Sequence, residues 1–191
     1  MTSAIRYRNY DVVLAFFCAF LLISNIAATK LIQFGTESFP IVTDGGAILF
    51  PITYILGDIL AEVYGLKLTK RAIWIGFVCS VTASVTFLLV SLAPPAKDWD
   101  NQAAFEAVLG FMPRIVLASL VAYLVGQFLN AWVLVKIKQR TGEAKLWVRL
   151  LGSTVVGEFA DTAIFCLVAF GGLIGVGTMA NYIVVGYLYK T

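Results

Sequence analysis

The stretch "LGDILAEVYG", residues 56–65, decides how this chain is read. Asp58 and Glu62 stand one helical turn apart in an otherwise apolar run, with no basic residue beside them. On a soluble helix the two acids would mark a solvated face. The rest of the chain excludes that setting. Of its 191 residues 60% are hydrophobic and 13% charged, with a mean hydropathy of +0.90. A soluble domain of this length has too little interior to hide so much apolar surface, whereas a bilayer does not require it to be hidden. The class that follows is a single-domain integral membrane protein, residues 1–191, built from helices, and the two acids lie on one of its spans.

Working outward from that stretch, runs of roughly 20 apolar residues predict six transmembrane helices at 11–33, 44–65, 72–93, 113–135, 150–171 and 176–191. "PPAKDWDNQ" (94–102) reads as a helix stop, "KIKQRTGEAK" (136–145) as a charged turn, and "GGLIGVG" (171–177) as a tight connection. "QAAFEAVLGFM" (102–112) reads as a short amphipathic surface helix with Trp99 as interfacial anchor. Arg6 and Arg8 precede an apolar run too long for a signal peptide and followed by five more spans, so the first span is a retained helix. The sixth span, at ~24 Å of helix, is short of the ~30 Å core of a bilayer.

Basic residues set the expected orientation. Arg6, Arg8, Lys67, Lys70, Arg71, Lys136, Lys138, Arg140, Lys145 and Arg149 fall on one side, against only Lys97 and Arg114 in the connections of the other. The excess places the N-terminus and the second and fourth connections in the cytoplasm.

Depth then singles out a set of polar residues. Asp58, Gln127 and Glu158 each lie nine residues from a cytoplasmic basic boundary, at Lys67, Lys136 and Arg149, or ~13 Å into the membrane. Asn130 and Asp161 follow at i+3 on the same helix faces. Glu62 lies one turn from Asp58, and Asn25 adds an amide from the first span. Intramembrane acids are costly and turn toward protein or water, so Asp58 and Asp161 are the principal candidates for a polar site. The bland alternatives are hydrogen bonding between helices for Asn25 and Asn130, and an interfacial position for Glu62. A loose echo of "GDILAE" (57–62) in "GEFAD" (157–161) allows two inverted three-helix repeats. The chain contains no His. Cys18, Cys79 and Cys166 stand alone in apolar runs. With no metal-ligand spacing, P-loop or nucleophile motif, the sequence predicts neither an enzyme nor a cofactor or metal site.

"SNI-A-K" (24–30), "FPITYILGDILAEVYG" (50–65), "AYLVGQFLN" (122–130) and "GEFADT" (157–162), in this order, resemble the queuosine precursor transporter family. The resemblance extends over nearly the whole chain. It implies a six-helix bacterial inner-membrane protein that imports 7-cyano-7-deazaguanine and 7-aminomethyl-7-deazaguanine. It puts Asp58, Gln127, Asp161 and Asn25 on the family's recurrent polar positions. Asn130 stands where an Asp is usual, and Glu62 and Glu158 fall on variable positions. Tyr187 and Lys190 match a Tyr-x-x-Lys past which the family's last helix runs on, which, with the short sixth span, implies a chain that continues past Thr191 and a Lys190 turned into the bundle. The expected partners are a deazapurine and the bilayer, with no nucleic acid, and a homodimer is allowed. The alternative class is the substrate-binding subunit of an energy-coupling-factor transporter, which is similar in size and helix number and requires partner proteins to move its ligand.

Overall fold

The computed structural model describes residues 9–36, 39–141 and 146–190. Arg6, Arg8 and Lys145, which entered the orientation argument, lie outside the described residues. In order the elements are helix α1 (Tyr10–Ala27), strands β1 (Leu31–Thr36) and β2 (Phe39–Asp44), a 3-10 turn (Gly45–Ile48) and helix α2 (Phe50–Ile59), which passes into a π-helical segment (Leu60–Tyr64). Helices α3 (Leu66–Leu92), α4 (Gln102–Leu109), α5 (Met112–Thr141), α6 (Leu146–Phe170) and α7 (Val176–Lys190) follow. Among the described residues, four helical stretches are long and apolar enough to cross a membrane: Tyr10–Ala27, Leu66–Leu92, Gln102–Arg140 (which takes in α4 and α5) and Leu150–Phe170. The chain is thus a mostly helical membrane protein. The second and sixth expected spans are also helical, but α2 with its π segment and the 15-residue α7 are shorter than those four.

The chain divides into two compact units: residues 1–31 with 44–116, and residues 32–43 with 117–191. In the first, α1 packs on α3 and on the α2–π segment around buried Phe17, Leu60, Tyr64 and Ala72. The Tyr10 hydroxyl donates to the Leu68 carbonyl at 3.1 Å, and the Tyr10 ring meets Tyr64 edge-on at 5.2 Å. Close approach of α1 and α3 is possible because α3 buries Ala72, Gly76, Ser80 and Ser84, one small residue per turn. A Cβ on Gly76 would lie 2.9 Å from Leu21 Cδ2. In a membrane such a stripe lets dispersion contacts and polar ties hold helices that gain nothing from water exclusion. Ser80, Thr82 and Thr86 bond back to carbonyls four residues earlier, as expected of hydroxyls on an apolar helix. Gly65, at φ 84°, breaks the chain between the π segment and α3. Only glycine adopts that backbone readily, so the 66–71 turn expected from the sequence shrinks to one residue. Lys67, Lys70 and Arg71 lie exposed on the first turns of α3 itself.

The second unit contains the element that the sequence reading did not include. Residues 31–44, expected to be partly span and partly loop, form a two-stranded hairpin. The Asn181 side chain on α7 holds β2 from the side: its Oδ1 accepts from the Val42 amide at 2.9 Å, and its Nδ2 donates to the Pro40 carbonyl at 2.8 Å. Pro40 lacks an N–H, so a carbonyl is all that it can offer on this edge. Around this clamp lies a cavity of about 470 Å³ lined by Gln33, Pro40, Val42, Gly177, Thr178 and Asn181. Asn181→Ala removes both bonds and leaves a backbone donor and acceptor unmet, at a cost of about 1–3 kcal/mol. Amide exchange at Val42 and proteolytic nicking near residues 37–38 should both accelerate, while α6 and α7 stay protected.

The turn at residues 171–175 then joins α6 to α7 as the sequence predicts, and the short helix expected at 102–112 is α4, ending at Leu109. The charged turn at 136–145 is shorter than expected, because α5 continues through Lys136, Lys138 and Arg140 to Thr141. Basic residues in a last turn interact favourably with its free carbonyls.

Candidate functional site

The polar residues of the second unit meet where α5 crosses α6. A Cβ on Gly126 would lie 2.9 Å from Asp161 Cβ and 3.1 Å from the Gly157 carbonyl oxygen. A Cβ on Gly157 would lie 2.8 Å from Asn130 Cβ and 3.0 Å from the Gly126 carbonyl oxygen. The pattern is reciprocal. Gly126 sits level with Asp161, and Asn130 sits level with Gly157, so the helices are antiparallel and their backbones nearly touch. The local sequence explains the symmetry: "VGQFLN" (125–130) on α5 and "VGEFAD" (156–161) on α6 share Val, Gly and Phe at matching positions and set Gln against Glu and Asn against Asp. In each hexapeptide the glycine opens the crossing, and the polar residue four positions on faces the partner helix's glycine. The two hexapeptides differ in charge, since Gln127 and Asn130 are amides where Glu158 and Asp161 are acids.

Helix α7 closes the acidic side. Lys190 Nζ lies 2.8 Å from Asp161 Oδ2, with the lysine 15% and the aspartate 24% exposed. The two residues are thus largely removed from the surface, and the lysine faces inward as the family resemblance implies. The Tyr187 ring meets Phe159 edge-on at 5.6 Å, and a Cβ on Gly186 would lie 3.2 Å from Thr162 Cγ2. On the same two helices, the buried polar atoms with no hydrogen-bond partner among the described residues include Asn130 Oδ1 and the hydroxyl of Thr162, which is 3% exposed. Buried polar groups in native structures are nearly always satisfied, so each unmet one calls for water, an ion or a ligand. The chemistry present is therefore a carboxylate held by an ammonium, an amide oxygen able to accept, and a hydroxyl able to do either.

The other sequence candidates are placed as follows. Gln127 is exposed, and Glu158 and Asn130 are half-buried, all on the second unit. Asp58 and Glu62 are exposed on the first unit, Asp58 in α2 and Glu62 in the π segment. Asn25 is buried, and its Nδ2 donates to the Ser80 hydroxyl at 3.3 Å, which itself donates to the Gly76 carbonyl at 2.9 Å. This is the interhelical tie that the sequence allows as the bland reading of Asn25. Thr162 was absent from the sequence candidates. Its signal was present in the matching hexapeptides, the acidic one of which it directly follows.

Known proteins resemble this chain over most of its length. The family described as "Putative vitamin uptake transporter" matches residues 44–191. The "Probable queuosine precursor transporter" of Bacillus subtilis is 31% identical over 168 residues, which is 87% of this chain and 72% of that protein. The "Queuosine precursor transporter" of Escherichia coli is 26% identical, over 79% of this chain and 66% of that protein. The "Probable queuosine precursor transporter" of Haemophilus influenzae is 25% identical, over 74% of this chain and 58% of its own length. The chain thus spans roughly three fifths to three quarters of these relatives. No solved structure matches it. All the residues of the α5–α6–α7 cluster lie inside the matched segment, and the chain belongs to the queuosine precursor transporter family.

Proposed function

We propose that this protein imports queuosine precursors, 7-cyano-7-deazaguanine and 7-aminomethyl-7-deazaguanine, across a bacterial inner membrane, and that the Asp161 cluster binds them. The observation that carries this reading is the half-buried Asp161 on the same helix pair as the buried Asn130 Oδ1 and Thr162 hydroxyl, two polar atoms left without partners among the described residues. A guanine-like ring presents N1–H and an exocyclic amine side by side. One carboxylate can accept both in a bidentate pair, at roughly twice the strength of neutral hydrogen bonds. An amide oxygen and a hydroxyl beside it suit the remaining edge. In the first unit, Asp58 is proposed as a substrate-facing acid in its own right, and Gln127 and Glu158 as polar contacts of the second. Charge on a membrane helix persists for such a reason more often than for packing.

The proposed topology has six crossings, with α2 plus the π segment as the second, α7 as the sixth and the N-terminus in the cytoplasm. Single cysteines at Lys67 and Gln139, exposed on α3 and α5, should resist a membrane-impermeant thiol reagent in intact cells, while one at Thr36 reacts. The reverse labelling pattern would overturn the orientation. The function itself is tested by uptake of labelled 7-cyano-7-deazaguanine into proteoliposomes holding this chain alone. Saturable uptake supports a transporter. Tight binding without uptake supports a substrate-binding subunit that depends on partner proteins.

A further inference from the structure

The matching hexapeptides of α5 and α6 carry no acid on α5 and two on α6, and α7 delivers a lysine to the acidic one. An unpaired carboxylate among apolar helices is costly, and the Lys190 ammonium at 2.8 Å removes that cost in the ligand-free protein. The same ammonium also covers the best acceptor that the cluster has. Lys190 sits at the end of α7 on a four-carbon stem with rotatable bonds, so its head group can withdraw with no movement of the helix backbone. Asn130 Oδ1 and the Thr162 hydroxyl stay unspent meanwhile. A ligand that adds donors here satisfies them and competes with Lys190 for Asp161.

We propose that Lys190 is a displaceable resident counter-cation of Asp161, and that it sets the preference of the site between neutral and cationic ligands. The inference rests on the reading of the cluster as a deazapurine site. With Lys190 present the pair is neutral overall, and a neutral ring binds by hydrogen bonds alone. A ligand bearing an ammonium meets a second positive charge at the same carboxylate and is disfavoured. The lysine is therefore a specificity-determining residue that acts by occupying its partner.

Binding of 7-cyano-7-deazaguanine (neutral) and 7-aminomethyl-7-deazaguanine (cationic) to the purified full chain in detergent tests this directly, with the ratio of the two affinities as readout. Lys190→Gln exposes the charge of Asp161 and should shift the ratio toward the cation by about tenfold to a hundredfold. Lys190→Arg keeps the charge and should keep the wild-type ratio. Asp161→Asn removes the carboxylate, keeps the ammonium and should shift the ratio the other way, toward the neutral ligand. This second variant carries the test if Lys190→Gln fails to reach the membrane. A packing role for the pair would weaken both ligands together and leave the ratio where it was, and that result overturns the proposal. If the wild-type chain binds neither ligand, the deazapurine reading fails first. If it binds both and the ratio is the same in all variants, only the role of Lys190 fails.

Discussion

Gly157→Leu should abolish most of the folded protein. The glycine faces the Asn130 Cβ and the Gly126 carbonyl, and a Cβ alone would stand 2.8 Å and 3.0 Å from them. Neither neighbour is the loose end of a flexible side chain, so α5 and α6 must move apart to admit any substituent. Overpacking of a tight interior costs about 1–3 kcal/mol for a few methylenes. Here the cost reaches beyond packing, because separation also draws Asp161 away from the α5 face and loosens the cluster. Gly157→Ala should give the lower end of that range and Gly157→Leu more than its upper end, comparable with the whole stability of a marginal protein. The control is Gly57→Ala, where a Cβ meets nothing within 4 Å. That change should be neutral or slightly stabilising, since alanine suits a helix better than glycine. Thermal aggregation of the detergent-solubilised variants, followed by size-exclusion chromatography, measures all three. Equal stability of Gly157→Leu and wild type would refute the close crossing.

Asp58→Asn should lower uptake affinity by about one to two orders of magnitude, as expected for the loss of a charge-assisted contact contributing roughly 1.5–3 kcal/mol. The substitution keeps the shape, removes the charge and exchanges one acceptor for a donor, which opposes the N–H edge of a guanine-like ring. Asp58 is exposed on α2, and Gly57 beside it meets no neighbour, so the amide is accommodated with no steric penalty. Glu62→Gln, in the π segment, should change uptake much less. Both proteins should insert normally, because removing a charge from a membrane helix favours insertion. Transport by Asp58→Asn at wild-type level and affinity would reduce Asp58 to a bystander.

What could be read in the sequence was what depends on short-range chemistry. Apolar runs give helices, Pro94 and Pro95 follow the end of α3, and the glycines at 171–175 give the turn between α6 and α7. The candidate acid Asp161 was also accessible, since it follows from the cost of charge in lipid, and the inward turn of Lys190 was implied by the family resemblance. Two features were visible but needed a different comparison: the small-residue stripe from Ala72 to Ser84, and the likeness of "VGQFLN" to "VGEFAD". The echo drawn between "GDILAE" and "GEFAD" compared one of the two with a more distant stretch. The hairpin at 31–44 was out of reach for another reason. Its strands are short, one contains a proline, and the side chain that holds it stands 139 residues away at Asn181. The π segment is equally hidden. A turn widened by one residue reflects how Leu60 and Tyr64 fit the core around Phe17 and Ala72, and composition does not record that fit.

The same distance has a consequence for biogenesis. Val42 leaves the ribosome early, but its partner comes 139 residues later. At roughly 5–20 residues per second the hairpin waits about seven to thirty seconds for its clamp. Asp161 likewise precedes its counter-ion by 29 residues, and so faces the translocon as an uncompensated acid for a few seconds at the same pace. Both delays end with one event, the arrival of α7. Helix α7 therefore carries two fastenings at once: it staples a strand made 139 residues before Asn181 and neutralises a charge laid down 29 residues before Lys190. A nascent chain stalled before residue 176 would carry the elements from α1 to α6 and neither fastening.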